Sequence, residues 1–187
     1  MKKITEKQAV ELLKKHAPSN SVFQKVYQHC KMVQKIALSL AQEIQKNGHL
    51  VDLEFIKIAS LLHDLGRFQA PPKSEKSLQH GIIGAKILRK LGLPRYALLC
   101  ERHLGAGITK EEIIKYKLPL PKKDLIPKTI EEKIITYADD LVGDRILTVS
   151  EVVQRFKKEI KNPEALKRMV RLHNEIEKLR GGTYFIQ

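Results

Sequence analysis

Ala59–Arg67 reads A-S-L-L-H-D-L-G-R, and this stretch decides the fold. The segment is almost wholly apolar from Ile58 to Leu62, so the helix it predicts ends in the interior. A buried carboxylate without a partner is costly. Asp64 therefore requires a cation, either a metal or Arg67. Adjacent helical residues point about 100° apart, so His63 and Asp64 reach one pocket from two directions. Imidazole and carboxylate are both good ligands for divalent transition metals. Gly66 reads as a helix stop, because glycine accepts the left-handed backbone of a C-cap.

Four further metal-ligand candidates lie outward from this stretch, each on a different predicted helix. A long helix from about Ser21 to Lys46 carries an apolar stripe of Val22, Val26, Val33, Ile36 and Leu40, and His29 falls within it. A single histidine on such a stripe also reads as a hydrogen-bonded core residue. Ser77 caps a helix through Leu91, with His80 in its first turn. Gly81 and Gly84, so early in that helix, imply a close backbone approach or tight helix packing. Pro94 opens the next helix, which ends at His103, where a histidine cap is the plainer reading. Thr129, with Glu132 in the capping-box position, opens a helix whose apolar face includes Asp139 and Asp140.

The rest of the chain reads as scaffold. Thr5 and Gln8 frame a first helix to about His16, and two amphipathic helices, about Val149–Ile160 and Pro163–Leu179, close the chain. His173, on the last, is expected on the surface. Residues 105–127 hold two glycines and three prolines around one short helix near Lys110–Tyr116, a composition that suggests a lid or a specificity element beside a site. No strand pattern emerges, so the fold class is an all-α helical bundle in one domain.

Composition narrows the function. With 187 residues the chain suits one domain, and 42% hydrophobic with 30% charged residues excludes disorder. No apolar run is long enough for a membrane span and no leader-like segment opens the chain, so a cytoplasmic protein is expected. Cys30 and Cys100 form no disulfide or C-x-x-C pattern and read as reduced core thiols. The formal net charge of +14 suits an anionic ligand. Nucleic acid is allowed but not favoured, since the lysines are dispersed and aromatics are only 5%.

The ordered set His29, His63-Asp64, His80, His103 and Asp139 resembles the HD superfamily of metal-dependent phosphohydrolases. The resemblance covers about residues 21–145, between an N-terminal helix (1–20) and C-terminal helices (146–187) packed on the same domain. H-D-L-G is similar to the H-D-I-G signature of one large subgroup. The run Y-A-D-D-L-V-G-D-R to Arg145 resembles the ending of bacterial HD proteins that hydrolyse dinucleoside polyphosphates. E-R-H-L-G-A-G-I-T from Glu101 is similar to an archaeal group of HD proteins.

The resemblance implies two metals. His29, His63, Asp64 and Asp139 would hold the first, with Asp64 bridging to a second completed by His80 and His103. His63 and Asp64 would be catalytic through the metals, which activate a water for attack on phosphorus. Iron, manganese, cobalt or zinc would suit the ligands. Arg67, Arg145 and Lys73 are candidate phosphate binders, and Asp140 is a candidate partner for a ligand histidine. The expected substrate is a nucleotide or another small phosphorylated molecule. The alternatives are a nucleotide-binding signalling module without catalysis and an RNA-acting HD nuclease. A homodimer is allowed but nothing in the sequence requires it.

Overall fold

Side-chain caps start most of the helices. In a computed structural model that describes residues 3–159 and 162–182, Thr5 opens helix α1 (Glu6–His16) with a full capping box to Gln8. Ser19 caps α2 (Asn20–Lys46), and the Asp52 carboxylate accepts from Phe55 N–H at the start of α3 (Leu53–Leu62). After α3 come two 3-10 turns, Leu65–Phe68 and Ser77–Gln79, and then α4 (His80–Lys90) and α5 (Pro94–Arg102), with Pro94 in the first turn of α5. Helix α6 (Lys110–Lys115) precedes α7 (Ile130–Asp140), which Thr129 caps. Helices α8 (Val149–Glu159) and α9 (Pro163–Leu179) complete the bundle. The described residues contain isolated bridges but no strand. The expected end of the eighth helix at Ile160, and the tail from residue 183, lie outside the described residues.

Helix α2 is the central rod and packs on both α3 and α7, while α4 packs on α5 and on the turn Leu65–Phe68. Leu61, Leu62, Leu65, Ile134 and Ile135 are fully buried where these layers meet. Each such side chain contributes about 1.5–3 kcal/mol. Together they set the depth at which the ends of α3 and α7 lie. The free thiols Cys30 and Cys100 are buried in the same core.

The structure corrects the expectations at Gly66, Glu132 and His173. Gly66 is not a left-handed C-cap; it sits inside the 3-10 turn without a positive φ. Its missing side chain serves packing instead, since a Cβ there would lie 1.9 Å from the His80 carbonyl oxygen. Gly81 has a related reason, with Cys100 O at 2.3 Å from its would-be Cβ, so tight packing explains both glycines flanking the start of α4. Glu132 does not complete a capping box: its carboxylate accepts from Arg102 and from Lys128 N–H. His173 is buried, not exposed, with Nδ1 2.8 Å from the Tyr137 hydroxyl.

The segment 105–127 is also not an open lid. Ile108 and Leu125 exchange backbone hydrogen bonds, and Ile113, Leu120 and Leu125 form a small core of their own. Glu112 anchors the segment to α9 through Arg168, at 2.7 Å, and accepts from Thr109 N–H and Asn162. Burial would raise the Glu112 carboxyl, but these donors hold it below its ordinary value. A carboxylate with a depressed folded value stabilises the protein above its unfolded value, and that stability disappears as pH falls through the folded one. Glu112→Gln should therefore cost about 2 kcal/mol at pH 7. In urea titrations, the gap to wild type should close below roughly pH 4. A gap that persists unchanged in acid would assign the anchor to packing rather than charge.

Candidate metal centre

Each of the six ligand-type residues enters the centre from the end or inner face of an element already described. His29 projects from α2, His63 and Asp64 follow α3, His80 begins α4, His103 follows α5, and Asp139 is one residue from the end of α7. All six meet. His29 Nε2 stands 3.0 Å from Asp139 Oδ1 and 3.6 Å from Asp64 Oδ2. His63 Nε2 stands 3.4 Å from the same Asp139 oxygen and 3.8 Å from Asp64 Oδ2. On the other side, Asp64 Oδ1 lies 3.1 Å from His80 Nε2 and 3.6 Å from His103 Nε2. Asp64 thus turns one oxygen to each pair of histidines.

The protein atoms fit a divalent cation for three reasons. First, the rings are oriented. The Nδ1 atoms of His63, His80 and His103 lie 2.7, 2.7 and 2.8 Å from the carbonyl oxygens of Ser60, Ser77 and Cys100. A carbonyl only accepts, so each Nδ1 carries a proton, and it is Nε2 of each ring that faces inward and is free to ligate when the ring is neutral. Second, the bare Nε2 atoms of His80 and His103 face each other at 2.9 Å, and His63 Nε2 is buried with no hydrogen-bond partner. Lone pairs so placed repel unless positive charge lies between or beside them. Third, the ligand atoms of His29, His63 and Asp139 lie within 4.8 Å of one another, as do those of His63, Asp64 and His103.

The electrostatics agree. Burial would raise the carboxyls of Asp64 and Asp139, yet the surrounding imidazoles hold both well below the usual carboxylate range. Burial, with His80 and His63 nearby, pushes His103 down and so keeps it neutral and able to ligate. Burial also opposes charge on His63, but Cys30, Asp64 and Asp139 outweigh it and raise its value well above the ordinary one. Two ionised carboxylates among buried imidazoles thus draw positive charge into the centre, a place that a cation would fill.

The centre opens on one side. His63, His80 and His103 are buried, whereas the His29 and Asp139 side chains are 28% and 19% exposed and line a cavity of about 490 Å³. Its walls include the apolar Val22, Val26, Pro71, Pro72 and Val142 and the basic Lys25, Arg67 and Arg155. Arg67 is fixed there by Asp64 Oδ1 at 3.2 Å and by the Ser77 hydroxyl at 3.0 Å. Arg145 lies elsewhere: it is exposed and paired with Glu151. Lys73 is exposed and lines no part of this cavity. Arg102 turns away to Glu132.

Asp140 orients no histidine. Its backbone oxygen accepts from Arg155 Nη2 at 2.9 Å, and its Oδ2 is buried without a partner. Burial and the adjacent Asp139 push its carboxyl well above the ordinary value. The orienting role belongs to the carbonyls of Ser60, Ser77 and Cys100. Each lies three residues before its histidine, a spacing that every sequence supplies and none advertises.

The HD domain family model matches residues 26–144, more than half of the chain. The chain belongs to the HD domain family. An uncharacterised protein of Methanocaldococcus jannaschii, MJ0778, is 42% identical over 163 residues, covering 86% of this chain and 92% of that protein. Two tRNA (cytidine(56)-2'-O)-methyltransferases also share the sequence. That of Picrophilus torridus is 37% identical, covering 83% of this chain and 42% of the methyltransferase; that of Thermoplasma volcanium is 34% identical, covering 90% and 45%. This HD chain thus corresponds to less than half of either methyltransferase. Among solved structures, the HD domain of the L. monocytogenes phosphodiesterase PgpH has the same fold. It superposes with a TM-score of 0.52 at 18% identity, covering 92% of this chain and 97% of that one. Its complex with cyclic-di-AMP gives a TM-score of 0.52 at 19% identity, with coverage of 96% and 99%. No helix among the described residues of this HD protein is long and apolar enough to cross a membrane.

Proposed function

We propose that this HD protein is a cytoplasmic, metal-dependent phosphohydrolase with a two-metal centre. It cleaves a phosphate ester or anhydride of a nucleotide or a similar small phosphorylated molecule. The observation that carries this reading is Asp64, which offers one oxygen to His29 and His63 and the other to His80 and His103. In this reading His29, His63, Asp64 and Asp139 hold one metal, and Asp64, His80 and His103 hold the other. Metals held there would supply an activated water and charge neutralisation at the phosphoryl oxygens. Iron, manganese, cobalt and zinc all suit such mixed ligation.

The chain's own residues do the rest. The carbonyls of Ser60, Ser77 and Cys100 keep three imidazoles in the ligating tautomer. Arg67, held between Asp64 and Ser77, receives the phosphoryl group. Arg145 and Lys73 leave that role to it, since neither lines the cavity. Val22, Val26, Pro71 and Pro72 give the remainder of the substrate an apolar wall. Ligation requires neutral histidines, so acid should release the metals and abolish activity together.

The cyclic dinucleotide bound by the PgpH HD domain supports a nucleotide substrate. The tRNA methyltransferases that share the sequence, together with the net charge of +14, favour one second reading, in which the hydrolysed phosphate belongs to RNA. The test is turnover by manganese- or iron-loaded protein against nucleoside phosphates, cyclic dinucleotides and short RNA. Release of phosphate or nucleotide that stops on chelation is expected. No turnover of any of these by fully loaded protein would reduce the domain to a binding module.

A further inference from the structure

The cavity that adjoins the metal centre has more cationic wall than one phosphoryl group needs. Arg67 lies beside Asp64, where the reacting group would sit. Lys25 and Arg155 line the same cavity from other elements. Lys25 is on α2, one helical turn before His29, and it is exposed with no hydrogen-bond or ion-pair partner among the described residues. Arg155 is on α8 and reaches across to the end of α7. A single nitrogen, Nη2, is engaged there by the backbone oxygen of Asp140 at 2.9 Å and by its Oδ1 at 3.9 Å. The rest of the guanidinium has no hydrogen-bond or ion-pair partner among the described residues.

Neither residue belongs to the family's shared span. The family match runs over residues 26–144, so Lys25 stands just before it and Arg155 beyond it. The wall they make is contributed by the start of α2 and by α8, and it lines, with the carboxylates of Asp64 and Asp139, one cavity of about 490 Å³. A space of that size holds more than a single phosphate ion.

We propose that Lys25 and Arg155 form a second anion position at the mouth of this cavity. The substrate class is then a molecule with two phosphoryl groups, one at the metal centre with Arg67 and a second, unreacted one held by Lys25 and Arg155. Arginine suits that task because its planar fork grips phosphate oxygens in pairs, while lysine adds a point charge. The apolar strip of Val22, Val26, Pro71 and Pro72 accommodates the organic part that joins the two groups. This proposal rests on the phosphohydrolase reading for what happens at the metals, but its test does not depend on hydrolysis.

The test uses two probes that cannot be hydrolysed, propylphosphonate and propane-1,3-bisphosphonate, titrated calorimetrically into manganese-loaded protein. Wild type should bind the bisphosphonate at least about tenfold more tightly. Arg155→Met should remove most of that preference and leave the monophosphonate affinity within about twofold. Arg155→Lys should keep much of it while losing the same backbone contact geometry, which separates charge at the mouth from support of α7. Lys25→Gln should reduce the preference partially. An unchanged ratio in Arg155→Met, or equal loss for both probes, would overturn the second position. Hydrolysis of p-nitrophenyl phosphate, run in parallel, reports on the function itself. A preference for the bisphosphonate without hydrolysis would leave the anion position standing and remove the enzyme reading; hydrolysis without the preference would do the reverse.

Discussion

Asp64→Ala is expected to abolish metal retention and phosphohydrolase activity together, with a loss of well over about 100-fold. Changes to groups that merely orient metal ligands already cost about 10–100-fold. Asp64 stands within 3.8 Å of all four histidine Nε2 atoms and contributes a separate oxygen to each pair. Its removal therefore weakens both proposed metal positions at once. The apolar core should survive, because the carboxylate carries none of its packing, and the cost is confined to the lost ion pair with Arg67 and the neighbouring imidazoles. Metal-free wild type and variant should then melt within a few degrees of each other, and metal should raise the melting temperature of wild type alone. Asp64→Asn keeps the volume and removes the charge, and the same loss is expected. Full metal content in either variant, measured after desalting, would remove Asp64 from the centre.

Gly66→Ala should have the largest effect on stability. A Cβ at this position would lie 1.9 Å from the His80 carbonyl oxygen and 2.7 Å from Gly84 N, both backbone atoms of α4. Backbone cannot swing aside as a side-chain tip can, so the first turn of α4 must move bodily. Overpacking of this kind costs about 1–3 kcal/mol and occasionally more; here the contact is deep enough for about 3–5 kcal/mol. That corresponds to a melting temperature lower by roughly 10 °C for a chain of this size. His80 opens the displaced turn, so metal content should fall as well. Gly143→Ala is the control. Its Cβ would meet Leu147 side-chain carbons at 3.4 and 3.7 Å and the Arg145 carbonyl oxygen at 3.7 Å, all ordinary contacts, and its φ is not positive, so a change within about 0.5 kcal/mol is expected. Equal melting temperatures for the two variants would contradict the packing account.

Much of this architecture is legible in the sequence, and the exceptions have physical causes. Thr5, Asp52 and Thr129 announce their helices because capping is a local interaction, complete within four residues. The ordered set His29, His63-Asp64, His80, His103 and Asp139 is legible because each residue sits on an apolar face or at a helix end, where a solitary polar group needs a partner. Gly66 reads from sequence as a left-handed cap, because the backbone of α4 that it must let pass is distant in sequence and leaves no local signal. Arg145 and Arg155 present the same difficulty. Both follow α7, and which guanidinium returns to the cavity depends on how α8 crosses it. His173 was readable in principle: it lies four residues after Met169 and three before Ile176, on the buried stripe of α9. Its polarity suggested the surface, and the Tyr137 hydroxyl that satisfies it is 36 residues away in sequence.

The central claim is that one carboxylate, Asp64, serves two metal positions. The most direct measurement is elemental analysis of the purified protein after reconstitution with manganese or iron, alongside the His80→Ala variant. Two metal ions per chain are predicted for the native sequence, falling towards one when His80 is replaced, because that change removes a ligand from one side of Asp64 only. One ion in both proteins would contradict the two-metal centre, and no retained metal in either would contradict the metal centre altogether.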